Sequence, residues 1–189
     1  MCCKQTSDPI ETVRTNTSCA EISFRRATLP DASGIREILG YYIQNTMATW
    51  RYEVMAIDVF EGWIRNHQRA ERPFWVAEQT GRIIGYSCLS DFRNGEGYWP
   101  CAENSVYVRP EYEGLGVGGK LMRLILDDGR LAGLKAVIAA IDSENINSIK
   151  FHQKFGFQIC GELKDIGQKK DTWRSLTLMQ VDLSKSGGT

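Results

Sequence analysis

Hydrophobic residues recur along this chain with two spacings, and the spacing changes at glycine, proline and short polar stretches. Short apolar runs bounded by such breaks predict seven strands, over residues 22–26, 74–78, 82–89, 103–108, 136–141, 157–163 and 173–181. Apolar stripes at helical spacing, or a closing glycine, predict helices over about 29–42, 57–69, 120–132 and 147–155. The alternation of strands and helices predicts a mixed α/β domain.

Glycines and polar residues mark where these elements turn or end. The tripeptide 79–81 predicts a hairpin between two strands. Gly85, inside the second of these strands, predicts a bulge or a close backbone approach. Asp31 is placed to cap the first helix, and Gly156 to close the last one in a left-handed conformation. Residues 46–56 are predicted to form a loop between the first two helices.

Length and composition restrict the classes of function. With 189 residues, of which 42% are hydrophobic and 24% charged, the chain is typical of one globular domain. We expect this domain over residues 21–183, after a disordered leader (1–20) and before a flexible tail (184–189). Lys+Arg and Asp+Glu are equal at 23 each, which disfavours nucleic acid or an anionic membrane as the main partner.

The sequence also bears on compartment and on metals. No apolar stretch approaches the ~18–20 residues of a membrane span, and residues 1–20 hold no signal-peptide core. The six cysteines form no pair of CxxC motifs, so no metal site is expected. Isolated cysteines are typical of a reducing compartment. A cytoplasmic protein is therefore predicted.

The glycine-rich residues 113–119 (EGLGVGG) are the most informative stretch of the chain. They lie between a predicted strand and a predicted helix, so the unpaired N–H groups and the positive dipole end of that helix open at the glycines. Such a loop binds phosphates. The chain lacks a GxxxxGKS or GxxxxGKT motif and the spacing of a dinucleotide-binding domain. Another phosphorylated ligand or cofactor is predicted.

A second motif lies downstream of this loop. Asn145 and Ser148 follow an apolar strand in an Asn-x-x-Ser motif, and the next helix ends in Gly156-Phe157. A glycine-loop helix, an apolar strand, this motif and such a helix, in this order, resemble the GNAT acetyltransferase superfamily. The resemblance covers residues 22–183. It implies an α/β (α+β) fold with a mixed, mostly antiparallel sheet of about seven strands flanked by helices, two strands being splayed at the acetyl-CoA site.

A closer resemblance is carried jointly by residues 90–93, 102–108, 151–152 and 167–169. These segments look like the phosphinothricin and methionine sulfoximine N-acetyltransferases. The resemblance implies acetyl-CoA as donor, a small amino acid as acceptor, and a homodimer. The chain departs from it in three places: Glu113 stands where the superfamily usually has Gln or Arg, Asn104 where close relatives often have His, and 171–175 where Gly-Arg-Trp-x-Asp is usual.

The resemblance further implies which residues hold acetyl-CoA. Backbone groups of Val106, Tyr107 and Val108 would pair with the pantetheine arm and polarise the thioester oxygen. The pyrophosphate would lie on the glycine loop, formed by Gly114, Leu115, Gly116, Val117, Gly118 and Gly119. Asn145, together with Ser148, would bind the pantetheine or adenosine end, although an asparagine at this position is also typical of a helix cap.

Amide formation from a protonated amine needs a general base, and Glu103 is the best candidate. Strand geometry puts Glu103 on one face with Ser105 and Tyr107, and puts Asn104, Val106 and Val108 on the other. Partial burial would raise the pKa of Glu103 and make it a better base. The alternative is a carboxylate that only pairs with a cation such as Arg93.

The acceptor is expected to lie near Glu103. Arg93 suits its carboxylate because a guanidinium binds carboxylates through two parallel hydrogen bonds; the alternative is a solvated surface arginine. The predicted acceptor site consists of Arg93, Asn94, Gly95, Glu103, Asn104 and Ser105. His152 either protonates the departing thiolate or is a packed helix residue. Trp50 and Tyr52 either close over the acceptor or belong to the core.

The sequence therefore predicts an acetyl-CoA-dependent N-acetyltransferase that acts on the α-amino group of a small amino acid such as phosphinothricin or methionine sulfoximine. No cysteine is placed as an acyl carrier, so direct transfer is expected. Two alternatives stay open. One is an enzyme that acetylates peptide or protein amines and needs an open groove, and the other is a non-catalytic module that only binds acyl-CoA.

Overall fold

The computed structural model describes residues 21–184; the predicted leader (1–20) and residues 185–189 of the predicted tail lie outside them. Within the described part, seven strands and four α-helices follow one another. The strands are β1 Ser23–Arg26, β2 Phe74–Gln79, β3 Arg82–Asp91, β4 Cys101–Val108, β5 Ala136–Asp142, β6 Gln158–Lys169 and β7 Thr172–Asp182. The helices are α1 Ala32–Asn45, α2 Ile57–Arg69, α3 Val117–Leu131 and α4 Ile146–Gln153. The predicted order of elements is confirmed.

The seven strands form one sheet in the order β1-β2-β3-β4-β5-β7-β6. Every neighbouring pair is antiparallel except β4 and β5, which are parallel. These two strands pair only from Cys101 opposite Ala136 to Glu103 opposite Ile138. Beyond Glu103 they part, while β4 keeps its pairing with β3 as far as Val108. The predicted mostly antiparallel sheet with splayed strands is confirmed.

Helices cover both faces of the sheet and bury its apolar side chains. On one face α1 and α2 pack on β2 and β3, through Ile35, Ile38, Phe60, Val76 and Tyr86. On the other face α3 and α4 pack on the sheet, through Met122, Ile125, Val137, Ile149 and Met179. Burial of each such side chain stabilises the fold by about 1.5–3 kcal/mol. None of the helices described is long and apolar enough to cross a membrane.

The two faces of β4 differ as predicted. Tyr107 packs against the cluster of α1 and α2, whereas Ala102 and Val106 belong to the side of α3 and α4. Asn104 contacts His152 of α4 and so shares this second face. Because side chains alternate along a strand, Glu103 faces the α1–α2 side together with Tyr107.

Several predicted boundaries are wrong; helix α1, for example, begins and ends three residues later than predicted. Helix α3 begins at Val117, three residues before the predicted start, because Gly116 takes a left-handed conformation (φ 82°) that turns the chain into the helix at once. Val117, Gly118 and Gly119 therefore form its first turn. Strand β6 continues to Lys169 instead of ending at 163. After an irregular segment it resumes pairing with β7, with Gly167 opposite Arg174.

The predicted turn glycines are confirmed, and one predicted cap is not. Gly81 in the hairpin and Gly156 after α4 have positive φ angles of 77° and 84°. The β2–β3 register shifts beside Gly85, and a Cβ there would lie 3.1 Å from the Tyr107 carbonyl oxygen. Asp31 makes no side-chain cap to α1. Its carboxylate instead accepts a hydrogen bond from the preceding Thr28 amide, which draws it away from the helix.

Candidate active site

A cavity of about 970 Å³ opens where β4 and β5 part. Its walls come from the end of α1 and the following loop, β4, the glycine loop, β5 and α4. The lining includes Thr46, Met47, Ala48, Glu103, Asn104, Ser105, Val106, Tyr107, Val108, Gly114, Gly116, Asn145, Ser148 and His152. The fold thus brings the two sequence motifs and the candidate base to one opening.

The glycine loop presents backbone groups to this cavity. Gly114 and Gly116 have positive φ angles of 78° and 82°, and a Cβ added to either would meet no atom within 4 Å. Gly118 and Gly119 follow in the first turn of α3 and also line the cavity. The first N–H groups of a helix have no partner inside it. A concave turn of such amides at the positive end of a helix binds an anion, so the loop fits a pyrophosphate.

The other residues of the loop are placed differently. Leu115 is 65% exposed and Val117 is buried in the core, so neither side chain lines the cavity. Glu113 is turned towards α1, where its Oε1 lies 2.8 Å from the Tyr42 hydroxyl. The same hydroxyl donates to the Val108 carbonyl oxygen at 2.7 Å. Burial, with the Glu113 carboxylate, raises the pKa of Tyr42, which therefore stays protonated and holds Glu113 at the cavity wall.

The parted end of β4 has backbone groups that face the gap. The Arg109 amide donates to the Ile84 carbonyl oxygen on the β3 side. Because successive amides alternate in direction, those of Val108 and Val106 point towards β5, and that of Tyr107 points to β3. Within residues 21–184, no strand pairs with β4 on that side beyond Glu103. An extended ligand that lies in the gap can pair with these groups.

Glu103 lies at the point where the two strands part. Its carboxylate makes no ion pair or hydrogen bond with the described residues, and burial raises its pKa. Arg93, considered as its partner, lies over the Phe92 ring at 5.2 Å from the centroid. An unpaired, partly buried carboxylate that is open to a cavity is suited to act as a general base.

His152 has both ring nitrogens engaged. Its Nδ1 lies 2.8 Å from the Ser148 carbonyl oxygen, and its Nε2 lies 3.0 Å from Asn104 Nδ2. Since a carbonyl only accepts, Nδ1 carries the proton and Nε2 accepts from Asn104. Burial lowers the pKa of His152 and favours the neutral ring. The geometry supports the packed-residue interpretation more than that of a proton donor.

Asn104 and Asn145 line the cavity, and each has one side-chain polar atom that makes no hydrogen bond with the described residues. The Asn145 side-chain oxygen caps α4, accepting a hydrogen bond of 3.1 Å from the Ser148 amide. This is the alternative role that the sequence allowed, and it leaves the amide nitrogen to donate. In Asn104 the buried Oδ1 atom has no hydrogen-bond partner within the described structure.

Arg93, Asn94 and Gly95 are not part of the cavity lining. They belong to the segment that leaves the sheet after β3, where Ser90 pairs with Glu103 across the strands. Two residues lie between Ser90 and Arg93, so the Cα atoms of Ser90 and Arg93 are at most about 11 Å apart. The arginine is therefore near the Glu103 end of the cavity without forming its wall.

A charged cluster at the cavity was missed by sequence reasoning. Arg174 donates to both carboxylate oxygens of Asp142, with Nε to Oδ2 at 2.7 Å, and its Nη1 donates to Glu144 at 2.8 Å. Although burial opposes it, the bonds from Arg174 and Trp50 lower the pKa of Asp142. Among the residues described, no group of three His, Cys, Asp or Glu side chains forms a metal site.

Trp50 and Tyr52 anchor their loop and do not line the cavity. The Trp50 Nε1 donates to Asp142 Oδ2 at 2.9 Å. The Tyr52 hydroxyl donates to the Gln168 carbonyl oxygen at 2.9 Å, while 64% of this residue is exposed. No sequence signal links these partners, because 92 positions separate Trp50 from Asp142.

Known proteins share this fold and much of this sequence. Residues 24–177 match the Acetyltransferase (GNAT) domain family. The L-methionine sulfoximine/L-methionine sulfone acetyltransferase of Pseudomonas aeruginosa is 35% identical over 85% of this chain and 94% of its own length. The structure of yncA from Salmonella typhimurium, solved with its cofactor acetyl-CoA, has a TM-score of 0.84 and 30% identity, over 90% of this chain and 98% of that one.

A phosphinothricin acetyltransferase from Sinorhizobium meliloti, solved in complex with acetyl-CoA, has a TM-score of 0.82 and 28% identity over 85% of this chain and 88% of that one. The anion-binding glycine loop and the gap beside β4 in this chain fit the phosphates and the extended arm of that cofactor. Family match, fold and site geometry therefore agree: the chain belongs to the GNAT family of acetyl-CoA-dependent N-acetyltransferases.

Proposed function

We propose that this N-acetyltransferase acts on the α-amino group of a small amino acid such as methionine sulfoximine or phosphinothricin. The relatives described above carry these two substrates in their names. The observation that carries the proposal is the unpaired, half-buried Glu103 carboxylate at the mouth of the gap between β4 and β5. An acyl-CoA carrier without catalytic activity would have no need for a base at this point.

Residues of β4 account for the chemistry. Acetyl-CoA supplies the acetyl group as a thioester. Glu103 takes a proton from the acceptor's ammonium group, directly or through a water molecule, and leaves an amine with a free electron pair. The amine nitrogen bonds to the thioester carbon, the C–S bond breaks, and the coenzyme A thiolate takes up the proton that the new amide nitrogen loses. The amides of Val106 and Val108 point into the gap, where they are placed to donate to a carbonyl oxygen that gains negative charge. His152 serves as a positioning residue that orients Asn104.

The acceptor is held on the α1–α2 side of the sheet. Arg93 reaches the acceptor's carboxylate from the segment after β3, and Asn94 and Gly95 lie beside it on the same segment. Ser105 completes the site on this face of β4, and Asn104 contributes to the cavity wall from the opposite face. We also expect the enzyme to act in the cytoplasm, since Cys88, Cys101 and Cys160 are free thiols.

We propose that the enzyme is a homodimer. Strand β6 is at the edge of the sheet and is exposed along most of its length. The exposed apolar residues at this edge are Ile159, Leu163 and Ile166 of β6 and Trp173 of β7, each 43% to 62% exposed. Edge strands with exposed apolar residues are sites for association with another chain.

Thiol release on mixing the protein with acetyl-CoA and a panel of amines tests the function. We expect release with methionine sulfoximine or phosphinothricin, with the acetylated amino acid detected by mass spectrometry. Release with peptides and not with free amino acids would favour a peptide or protein acetyltransferase. Binding of acetyl-CoA by calorimetry with no release for any amine would favour the non-catalytic module.

A further inference from the structure

Lys169, the last residue of β6, is 2% exposed, less than any other charged residue described. Its Nζ donates to the Ile43 carbonyl oxygen at 2.7 Å and to the Thr49 carbonyl oxygen. Ile43 lies in the last turn of α1, and Thr49 lies in the loop that follows. One buried ammonium group therefore ties three parts of the chain together.

The environment of Lys169 explains how a charge is tolerated there. The last four carbonyl groups of a helix lack partners inside it, and the helix dipole places negative potential at this end. The ammonium group satisfies one of these carbonyls at α1. Burial, and then the charge of Lys170, lowers the pKa of Lys169. Removing an ammonium group from water costs free energy, so its presence here indicates a role that an apolar side chain of the same size does not fill.

Two neighbours of Lys169 hold the same loop. The Gln168 carbonyl oxygen accepts a hydrogen bond from the Tyr52 hydroxyl at 2.9 Å. At Gly167 an added Cβ would lie 2.3 Å from Cε3 of Trp50, so only glycine leaves room for that ring. Residues 167–169 thus contact the loop at three successive positions, and we call this set of contacts the loop clamp.

The part of the loop that the clamp fixes is a wall of the active site. Thr46, Met47 and Ala48 lie between the Lys169 contacts at Ile43 and Thr49, and all three line the cavity. They follow α1, which packs on the same face of the sheet as Tyr107 and Glu103. This wall therefore lies on the side of β4 that carries Glu103, the side assigned to the acceptor.

We propose that Lys169 is a positioning residue for the acceptor: it sets the place of the Thr46–Ala48 wall opposite Glu103. The inference rests on the proposed function, because it assigns the wall to the amino acid that Glu103 deprotonates. Lys169 itself touches neither reacting group. A purely structural lysine would change stability alone, whereas a positioning lysine also changes how one substrate, and not the other, is held.

The test compares Lys169→Met with Lys170→Met. Methionine keeps the length and loses the ammonium donors, and Lys170 is the exposed neighbour with the same charge. We expect Lys169→Met to raise KM for the acceptor about tenfold or more and to leave KM for acetyl-CoA within about twofold, since small displacements of a positioning wall cost this much. Lys170→Met should match the wild type in both constants.

Trypsin gives a second readout that needs no activity. Arg51 is exposed and lies inside the clamped loop, so cleavage after it requires the loop to open. Lys169→Met should speed release of the fragment that begins at residue 52, at a temperature where both proteins are folded. Should Lys169→Met fail to fold, Trp50→Phe replaces it, because phenylalanine keeps a ring near Gly167 and removes the bond to Asp142. Trp50→Phe should also raise KM for the acceptor and speed cleavage after Arg51.

The outcomes separate this inference from the proposed function. A wild-type protein that acetylates no amino acid overturns both. An active wild type with a folded Lys169→Met or Trp50→Phe variant whose acceptor KM is unchanged overturns the positioning role alone. An equal rise in both KM values also overturns it, because that result indicates a general disturbance of the cavity.

Discussion

At the residue scale, Glu103 differs from the other carboxylates of the cavity because no described residue forms an ion pair or hydrogen bond with it. Asp142 and Glu144 are paired with Arg174, and Glu113 is bound by the Tyr42 hydroxyl. Proton transfer needs a carboxylate whose oxygens are free to accept. This contrast, more than sequence position, distinguishes the candidate base from its neighbours.

Replacement of Glu103 by glutamine should remove the base and keep the shape. We expect Glu103→Gln to lower kcat by about 10²–10⁴-fold, the usual contribution of general base catalysis. Acetyl-CoA affinity should stay unchanged, because Glu103 lies on the opposite face of β4 from the α3 side. Thiol-release kinetics and calorimetry measure the two quantities. A variant with unchanged kcat would exclude Glu103 from the mechanism.

The same substitution has a predicted effect on stability. Burial raises the Glu103 pKa above its ordinary value of 4.5. As pH rises from that value through the folded-state pKa, the unfolded chain holds fewer protons than the folded one, so the free energy of unfolding falls. Because glutamine does not titrate, Glu103→Gln removes this fall in the free energy of unfolding. Denaturation at pH 4 and pH 8 should show the variant gaining stability relative to the wild type at the higher pH; a constant difference would contradict the burial effect.

Glu113 should weaken cofactor binding by its charge. It stands at the start of the glycine loop, where a pyrophosphate is expected, and only the Tyr42 hydroxyl draws it aside. Glu113→Gln should tighten acetyl-CoA binding about two- to tenfold, since like charges at several ångströms repel by roughly 1 kcal/mol. Glu111→Gln is the control, because Glu111 is exposed and pairs with Arg82. Calorimetry measures acetyl-CoA affinity. An equal gain in affinity for both variants would show that the effect does not depend on the position of Glu113 at the glycine loop.

At the element scale, the glycine loop and α3 form one unit. Gly116 is both the left-handed residue before the helix and part of the cavity lining. Its backbone conformation and its closeness to the ligand are therefore two separate demands for glycine. Substitution of a left-handed glycine outside the cavity tests the demand of the backbone conformation alone and so separates the two.

Alanine at Gly116 should affect both stability and binding. Gly116 and Gly81 have φ angles of 82° and 77°, and a Cβ at either meets no atom within 4 Å. Both Gly116→Ala and Gly81→Ala should lose about 1–2 kcal/mol of unfolding free energy, the cost of a left-handed alanine. Only Gly116→Ala should weaken acetyl-CoA binding, by about tenfold or more. Equal binding by both variants would remove the loop from the cofactor site.

Elements with a local signature were predictable, and contacts between distant residues were not. The Asn145 motif, the glycine loop and the alternation along β4 are all readable from neighbouring residues. The start of α3 was misplaced, because three of the four residues 116–119 are glycines, which obscure the helical pattern. The Lys169 contact joins residues 126 positions apart, and no periodicity indicates it. Strand β6 was cut short because its outer part depends on pairing with β7 and not on its own apolar content.

At the scale of the whole molecule, the apolar edge of the sheet predicts an assembly. Ile159→Glu places a charge on exposed β6, and Leu131→Glu places one on α3, where Leu131 is 87% exposed. Light scattering should give about twice the chain mass of 21.4 kDa for the wild type and for Leu131→Glu. Ile159→Glu should give a single chain mass. A wild-type monomer would end the dimer proposal.

The short pairing of β4 with β5 leaves one side of β4 without a neighbouring strand beyond Glu103 in the described part of the chain. Beyond Glu103 the amides of Val106 and Val108 face a gap, and a backbone group left without a partner is unfavourable once water is displaced. An extended amide-bearing ligand in that gap acts as a surrogate strand. Hydrogen exchange should therefore report whether acetyl-CoA occupies the gap. Acetyl-CoA should slow exchange of the Val106 and Val108 amides, whereas the Tyr107 amide, already paired with β3, should keep its exchange rate.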